Sequence, residues 1–315
     1  MPIDEVCLYG PGAVGSLLGF YLSRAGVRVA AVARRRSHAR ALAERGVELR
    51  GLVEGVWRPS SVAVFGEEDL PGCVAVVATK AYDAPSAVRR ASKITRRIAV
   101  AGNGFGGLEE AVRLADEAVG LVIDYGVTRL GDTVVEVRGA GRIIVGPPKG
   151  SRGWVLAREL AGALEAGGAN VSLVADIEPW RWLKAVVNAT LNPLTVIAAA
   201  RNASVRVQGL WDVAVKGALE VARVAEALGI RLPGDPIGYL AEVAKMTGSN
   251  YSSMLQDVAR GSRTEIEEIN GYIVGLGRRL GVDTPVIETL YLLVKGLERL
   301  GGLRWEAARS LRGTY

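Results

Sequence analysis

The sequence predicts an α/β fold with a parallel, doubly wound sheet in its N-terminal part, followed by an all-α domain. Two observations carry this prediction. Short apolar runs first alternate with helical segments, and strand patterns largely end after Asp176, where long segments of helical period follow. We therefore expect two domains, residues 1–176 and 177–315. The length of 315 residues agrees, because a domain typically holds about 150 residues.

The first domain shows four short apolar runs that predict buried strands, at residues 6–9, 27–33, 74–79 and 98–101. Helical segments lie between them, at residues 17–25, 38–45 and 84–91. Gly26 and Gly46 end the first two of these helices. Strands and helices of this length in alternation predict a parallel sheet with crossover helices.

The rest of the first domain continues the same sheet in our interpretation. Three strand-like stretches separated by glycine turns are predicted to extend it, at residues 120–124, 133–137 and 142–145. A helix over residues 154–166 and a last strand over residues 170–174 follow. The second domain is predicted to hold five helices, at residues 180–201, 213–228, 237–245, 264–280 and 285–300.

The composition excludes several classes of protein. Lys and Arg number 39 and Asp and Glu number 33, so the net charge is only +6. This modest charge and the lack of a basic and aromatic motif disfavour nucleic acid as a partner, whereas a small anionic ligand fits. Hydrophobic residues make up 49% of the chain, which predicts a sizeable core and excludes a disordered protein.

The rare residue types also restrict the chemistry. His38 is the only histidine, and Cys7 and Cys73 are the only cysteines. This set cannot build an ordinary zinc site or a disulfide framework, so we expect no metal. Only two Gln, seven Asn and seven Lys occur beside 32 Arg, which weakly indicates a thermophilic source.

No membrane segment is expected. The N-terminus lacks the basic and then apolar order of a signal peptide. The longest weakly charged stretch, residues 185–200, contains Asn188, Asn192 and Pro193, which argue against a membrane span. We therefore expect a soluble, cytoplasmic protein, either a monomer or a homodimer.

A glycine-rich loop follows the first predicted strand and opens the first helix, with the sequence Gly10-Pro11-Gly12-Ala13-Val14-Gly15. The glycines permit a tight turn, a close approach of the backbone to a pyrophosphate, and close packing of helix on strand. The N-terminus of the helix then faces the phosphates. In this context the loop predicts a Rossmann-type dinucleotide-binding domain.

Arg34 follows the second predicted strand, at the position that selects the cofactor. NAD sites carry Asp or Glu there to bond the ribose hydroxyl, but this chain has Arg34-Arg35-Arg36. Arginine favours the 2′-phosphate of NADP through charge-assisted hydrogen bonds. The predicted cofactor is therefore NADP(H), and at least one of Arg35 and Arg36 is expected to be merely exposed.

Several polar residues stand where ligands bind or where an apolar face is expected. Lys80 and Asn103 follow the third and fourth strands, and ligands of doubly wound sheets bind at these carboxyl ends. Lys184, Asn188 and Asn192 are spaced by four, so they share one face of an otherwise apolar helix. A loop lysine, a turn asparagine and a helix–helix hydrogen-bond network are the structural alternatives.

Two further segments supply candidate groups. Asn250 and Ser253 offer an amide and a hydroxyl donor just before a short apolar stretch. Glu265 begins a segment of helical period, where a carboxylate also suits the positive end of the helix dipole. Glu265 is therefore either a site carboxylate or a structural charge at a helix start.

Together these residues resemble the ketopantoate reductase (2-dehydropantoate 2-reductase) family over nearly the whole chain. The resemblance rests on motifs in a fixed order, namely the glycine loop, Thr79-Lys80-Ala-Tyr-Asp83, Asn103-Gly104, Lys184-x-x-x-Asn188-x-x-x-Asn192-Pro-Leu-Thr195, Ser252-Ser-Met-Leu-Gln-Asp257 and Arg263-Thr-Glu-Ile-Glu-Glu-Ile-Asn-Gly271. The first motif is common to many dehydrogenases. The last three, in this order, are specific.

The resemblance implies an NADPH-dependent reduction of ketopantoate to (R)-pantoate in pantothenate and coenzyme A biosynthesis. It implies that Lys184 is the general acid and that Glu265 is the acidic partner, which also lies on the cofactor side. Arg34 would contact the 2′-phosphate. By the same resemblance, Lys80 and Asn103 would line the cofactor, and the substrate would contact Asn103, Lys184, Asn188, Asn192, Asn250 and Ser253.

The chemistry of these residues agrees with carbonyl reduction. A new alkoxide needs a proton donor, and His38 lies far from the proposed groups in sequence, so another residue must supply the proton. Lys184, the general acid that the resemblance implies, can take this role. Two other interpretations remain. A related reductase could act on another 2-oxo acid, and a non-catalytic NADP(H)-binding sensor would keep the glycine loop and Arg34 without needing Lys184 and Glu265.

Overall fold

The computed structural model describes residues 3–68, 70, 72–139 and 141–300. The chain divides into two compact units between Arg181 and Trp182, whereas the sequence places the domain boundary at residue 176. Residues 301–315, the end of the second predicted domain, lie outside the described residues. None of the described helices is long and apolar enough to cross a membrane.

The first unit contains the strands, which in chain order are β1 (Glu5–Tyr9), β2 (Arg28–Ala33), β3 (Val47–Gly51), β4 (Gly55–Trp57), β5 (Ser61–Val64), β6 (Val74–Val77), β7 (Arg97–Ala101), β8 (Glu117–Ile123), β9 (Gly126–Arg129), β10 (Val134–Gly139), β11 (Ile143–Gly146) and β12 (Val171–Leu173). Its helices are α1 (Ala13–Arg24), α2 (Arg36–Arg45), α3 (Ala84–Ala91), α4 (Gly107–Leu114) and α5 (Trp154–Ala166). The sequence-based prediction of strands alternating with helices is confirmed here.

The main sheet has the order β12-β11-β8-β7-β6-β1-β2-β5. Its pairs are parallel except for β8 with β11. The chain runs outward from β1 through β2 to β5 and then returns to β6 on the other side of β1. Strand order therefore reverses between β1 and β6, and a crevice at such a switch point is where doubly wound sheets bind ligands.

Alternate residues of the strands face the two sides of this sheet. Leu8 and Val76 lie in one apolar core with Leu17 of α1 and Leu160 of α5. Their neighbours Tyr9 and Val77 lie in a second core, together with residues of α3 and α4. Burial on both faces explains why these strands are apolar runs rather than alternating patterns.

One strand prediction is wrong. Residues 133–137 were expected in the main sheet, but β10 belongs to a separate four-stranded sheet of order β4-β3-β10-β9. This small sheet packs on α1, where Trp57 of β4 donates a 3.1 Å hydrogen bond to Ser23. A local pattern shows that a strand has one buried face, but it does not show which sheet receives the strand.

A disulfide joins Cys7 of β1 to Cys73, which immediately precedes β6. Both side chains are buried, and their Cα atoms are 5.8 Å apart. Two cysteines exclude a disulfide framework, as expected from the sequence, and the single bridge between them was not predicted. The two cysteines are 66 positions apart, and only the pairing of β1 with β6 brings them together.

The described part of the second unit, residues 182–300, is helical, and its helices are α6 (Glu178–Ala198, which begins in the first unit), α7 (Leu210–Ala227), α8 (Pro236–Met246), α9 (Ser253–Ala259), α10 (Tyr272–Leu280) and α11 (Pro285–Arg299). Helix α9 was not predicted from the sequence. The predicted helix over 264–280 is interrupted, because a wider π-helical turn over Glu267–Gly271 precedes α10. Val196, Leu255, Ile266 and Val294 form an apolar core between these elements.

Candidate active site

The glycine loop lies at the switch point of the main sheet, directly after β1. Gly10 has a φ of +84°, and a Cβ atom there would lie 2.9 Å from the carbonyl oxygen of Ala78. A Cβ atom on Gly15 would collide with the carbonyl oxygen of Gly10. The protein's own backbone therefore requires glycine at both positions.

Gly12 differs from the other two glycines of the loop. Its φ of −85° is available to any residue, and a Cβ atom there would meet no described atom within 4 Å. Gly12 is the N-cap of α1, which has no side-chain cap and no acidic residue in its first turn. The first amides of α1, which have no acceptor within the helix, and the open space beside Gly12 fit a pyrophosphate, because such amides are hydrogen-bond donors at the positive end of a helix dipole.

The strand ends around this loop carry the other predicted cofactor-side residues. Lys80 follows β6 and Asn103 follows β7, and both are half-buried. Thr79, which we did not single out as a site residue, lies beside Gly10, and its buried hydroxyl oxygen has no hydrogen-bond partner among the described residues. A buried hydroxyl without a partner next to the loop is a further candidate donor for a ligand.

Arg34 lies at the end of β2, as predicted, and forms an ion pair. Its Nη1 is 2.8 Å from Oδ2 of Asp83, which lies between β6 and α3. Arg34 is exposed, so its guanidinium can still reach a ligand at the strand ends. Asp83 ends the motif Thr79-Lys80-Ala-Tyr-Asp83, and nothing in that motif indicates this pairing.

A largely buried arginine, Arg181, holds the segment that contains Asn103. Arg181 forms ion pairs with Glu109 at 3.0 Å and Glu178 at 2.5 Å, and its guanidinium lies over the ring of Phe105. Burial opposes the charge of Arg181, but the two carboxylates outweigh it and raise its pKa. Burial disfavours the charged form of Glu178 too, and for a carboxylate this raises the pKa. These contacts hold the turn two residues after Asn103.

Helix α6 places the predicted polar stripe in the second unit. Asn188 and Asn192 are buried, and Nδ2 of Asn192 donates to Oδ1 of Asn188 at 3.3 Å. Nδ2 of Asn188 has no partner among the described residues. Lys184, one turn earlier, is half-buried. The stripe therefore offers a buried amide donor next to a lysine, and such a donor suits a carboxylate or carbonyl oxygen of a ligand.

Two buried hydroxyl groups join α6 to α9. Thr195 Oγ1 donates to the carbonyl oxygen of Asn192 at 2.7 Å, and Ser252 Oγ accepts from the amide of Leu255 at 3.1 Å. The 2.7 Å contact between these hydroxyls must therefore use the proton of Ser252. Ser252 is the N-cap of α9, and the next residue, Ser253, is exposed at its first position.

The remaining predicted residues lie in two nearby segments of the same unit. The main-chain carbonyl oxygen of Asn250 accepts a 2.9 Å hydrogen bond from the main-chain amide of Asn202. Glu265 is buried directly before the turn that leads to α10. Thr264, the residue before Glu265, donates from both its main-chain amide and its hydroxyl to Glu298 of α11, at 2.7 and 2.8 Å. These contacts fix the backbone beside Glu265.

Among the described residues, no group of three or more His, Cys, Asp or Glu side chains could hold a metal ion. The predicted residues instead form two sets. The glycine loop, Arg34, Lys80 and Asn103 surround the strand ends of the first unit. Lys184, Asn188, Asn192, Asn250, Ser253 and Glu265 belong to the second unit. The roles assigned to all of them stay predictions.

Comparison with known proteins gives two family matches that together cover most of the chain. The model described as "Ketopantoate reductase PanE/ApbA" matches residues 6–150. The model described as "Ketopantoate reductase PanE/ApbA C terminal" matches residues 176–298. The first match contains the glycine loop, and the second contains the polar stripe of α6.

Individual relatives agree with the family models. A 2-dehydropantoate 2-reductase of Pyrobaculum aerophilum is 40% identical over 292 residues, which cover 92% of this chain and 97% of the relative. The crystal structure of a PanE/ApbA family ketopantoate reductase from Ralstonia eutropha is 26% identical, with a TM-score of 0.82 over 94% of this chain and 99% of that one. A D-mandelate dehydrogenase structure with NADH and anilino(oxo)acetate, 23% identical, shares the fold with a TM-score of 0.85 over 94% and 99% of the two chains.

Proposed function

Because the chain belongs to the ketopantoate reductase family, we propose that it catalyses the NADPH-dependent reduction of 2-dehydropantoate to (R)-pantoate, a step of pantothenate and coenzyme A biosynthesis. The observation that carries this proposal is the match to the Pyrobaculum aerophilum 2-dehydropantoate 2-reductase along 92% of the chain. The D-mandelate dehydrogenase supports the fold alone, because its identity to this chain is only 23%.

The first unit holds the cofactor in this proposal. The amides at the start of α1 bind the pyrophosphate beside Gly12, where a side chain would find open space. Arg34 binds the 2′-phosphate, and Lys80 and Asn103 contact the part of the cofactor near the ends of β6 and β7. The bound cofactor supplies a hydride to the C2 carbonyl carbon.

The second unit binds the 2-oxo acid and moves the proton. Asn188, Asn192, Asn250 and Ser253 donate hydrogen bonds to the substrate, and the partnerless Nδ2 of Asn188 is the donor that the structure best supports. The ammonium of Lys184 donates its proton to the oxygen that becomes the alkoxide, and Glu265 orients this ammonium. Donors placed around that oxygen stabilise the developing negative charge.

The test is a steady-state assay of the purified protein with ketopantoate, following the absorbance of the reduced nicotinamide with NADPH and then with NADH. We expect saturable oxidation that is faster with NADPH at low cofactor concentration. A panel of other 2-oxo acids is the matched control. Tight NADPH binding without turnover of ketopantoate would overturn the substrate assignment, and turnover of a different panel member would identify the related-reductase alternative.

A further inference from the structure

The ion pair between Arg34 and Asp83 crosses the end of β1. Arg34 follows β2 and Asp83 follows β6, and both strands are hydrogen-bonded neighbours of β1 in the main sheet. The pair, with Nη1 and Oδ2 2.8 Å apart, therefore bridges the two strands on either side of the strand that leads into the glycine loop. A negative charge thus lies in direct contact with the cation assigned to the cofactor.

The carboxylate of Asp83 contacts Arg34 and does not cap α3. Asp83 occupies the N-cap position of α3 with a helical backbone (φ −96°, ψ −17°), whereas an aspartate that accepts from the amides of the first turn normally has an extended one. Its carboxylate makes no such bond here and reaches Arg34 instead. The orientation of the side chain is therefore set by the arginine and not by the helix that Asp83 begins.

The neighbouring arginines provide an internal comparison. Arg35 pairs with Asp132 in the turn between β9 and β10, and Arg36 pairs with Glu67 after β5. Neither of these carboxylates follows a strand that borders β1. Of these three pairs, only the one made by Arg34 joins the strand ends beside the switch point.

We propose that Asp83 sets the cofactor preference by competing with the 2′-phosphate of NADP(H) for Arg34. This inference rests on the proposed function, which assigns Arg34 to that phosphate. The side chains are 70% and 38% exposed, and such exposed pairs are weak, so a phosphate dianion can displace the carboxylate. The carboxylate then remains close to the phosphate and repels it, which lowers the affinity for NADP(H) but not for NAD(H).

The experiment is a measurement of NADPH and NADH dissociation constants for the wild-type enzyme, Asp83→Asn and Arg34→Ala, by quenching of protein fluorescence at two salt concentrations. Asparagine keeps the shape of Asp83, and the Asp83 side chain makes no capping bond that the variant could lose, so the variant should fold. We expect Asp83→Asn to bind NADPH about three- to tenfold more tightly, with NADH affinity nearly unchanged. High salt should reduce this gain, because it screens exposed charges.

Glu67→Gln is the matched control, since it removes the partner of Arg36 and should leave the ratio of the two affinities unchanged. Unchanged or weaker NADPH binding by Asp83→Asn, together with a selective loss in Arg34→Ala, would overturn the role of Asp83 alone. Equal losses for both cofactors in Arg34→Ala would overturn the phosphate contact in the proposed function. A selective gain in Glu67→Gln would overturn both, because it would assign the phosphate to Arg36.

Discussion

The side-chain amide of Asn270 donates a 2.9 Å hydrogen bond to the main-chain carbonyl of Ala189. Ala189 lies four residues before Pro193, which is inside α6 and has no amide hydrogen to give to that carbonyl. Asn270 is fully buried, so it replaces the missing helical donor with a tertiary one. The same bond fixes the segment after Glu265 against the turn of α6 that carries Asn188 and Asn192.

This relationship predicts strong coupling between positions 193 and 270. Asn270→Leu should lower the free energy of unfolding by about 1–3 kcal/mol, because it leaves a buried carbonyl without a partner. In the background of Pro193→Ala, which restores the helical donor, the same substitution should cost about 1 kcal/mol less. Denaturant unfolding of the two single variants and the double variant measures the difference. Strictly additive effects would show that Asn270 does not replace the donor that proline lacks.

Gly12 should be needed for the cofactor and not for the fold. An alanine there meets open space at a φ of −85°, so Gly12→Ala should leave stability nearly unchanged or slightly higher. Its methyl group would block the approach of the pyrophosphate, and NADPH affinity should fall by about tenfold or more. Gly15→Ala is the contrasting variant, because its Cβ would collide with Gly10 and should destabilise the protein itself. Normal NADPH binding by Gly12→Ala would place the phosphates elsewhere.

Substitution of Lys184 should lower the turnover number far more than the affinity for the cofactor. We expect Lys184→Ala to lower kcat by about a hundredfold or more, since a general acid contributes a factor of this size. The NADPH dissociation constant should change little. Lys245→Ala, which removes an exposed lysine of the same unit, is the control for the loss of a positive charge. Near-normal kcat in the Lys184 variant would remove its role as proton donor.

His38, the chain's one histidine, should make stability depend on pH. It is buried in α2 with Nε2 3.1 Å from the carbonyl oxygen of Asp132, and burial, followed by the charge of Arg129, lowers its pKa. The unfolded chain then takes up a proton first as pH falls through about 6.5. The histidine's contribution is therefore complete above that pH and should be lost below it.

Comparison with His38→Gln isolates this contribution, because glutamine keeps a donor but does not titrate. The raised pKa values of Glu178 and Glu268 give stability the opposite dependence on pH, but both groups are present in both proteins and cancel in the difference. Denaturant unfolding at several pH values between about 7.5 and 5.5 should show wild type losing stability relative to the variant. Parallel curves would mean that His38 accepts a proton in place without cost.

Local patterns were sufficient for much of the fold. The helix over Trp154–Ala166 has the predicted bounds, and β1, β2, β6 and β7 lie where apolar runs predict them. Burial on both faces of the main sheet leaves a strong local signal, so these elements need no knowledge of distant partners. The glycine loop was equally visible, because its spacing and its place between strand and helix are local properties.

The sequence by itself thus determined that strands alternate with helices in the first part of the chain, that helices follow in the second part, and which family motifs the chain carries. Only the tertiary structure decided which sheet contains β10 and that Cys7 forms a disulfide with Cys73. It also decided that Arg34 forms an ion pair with Asp83 and that Asn270 donates a hydrogen bond to the carbonyl oxygen of Ala189. The physical reason is sequence separation. The partners in these three side-chain contacts lie 66, 49 and 81 positions apart, so only the folded chain brings them together.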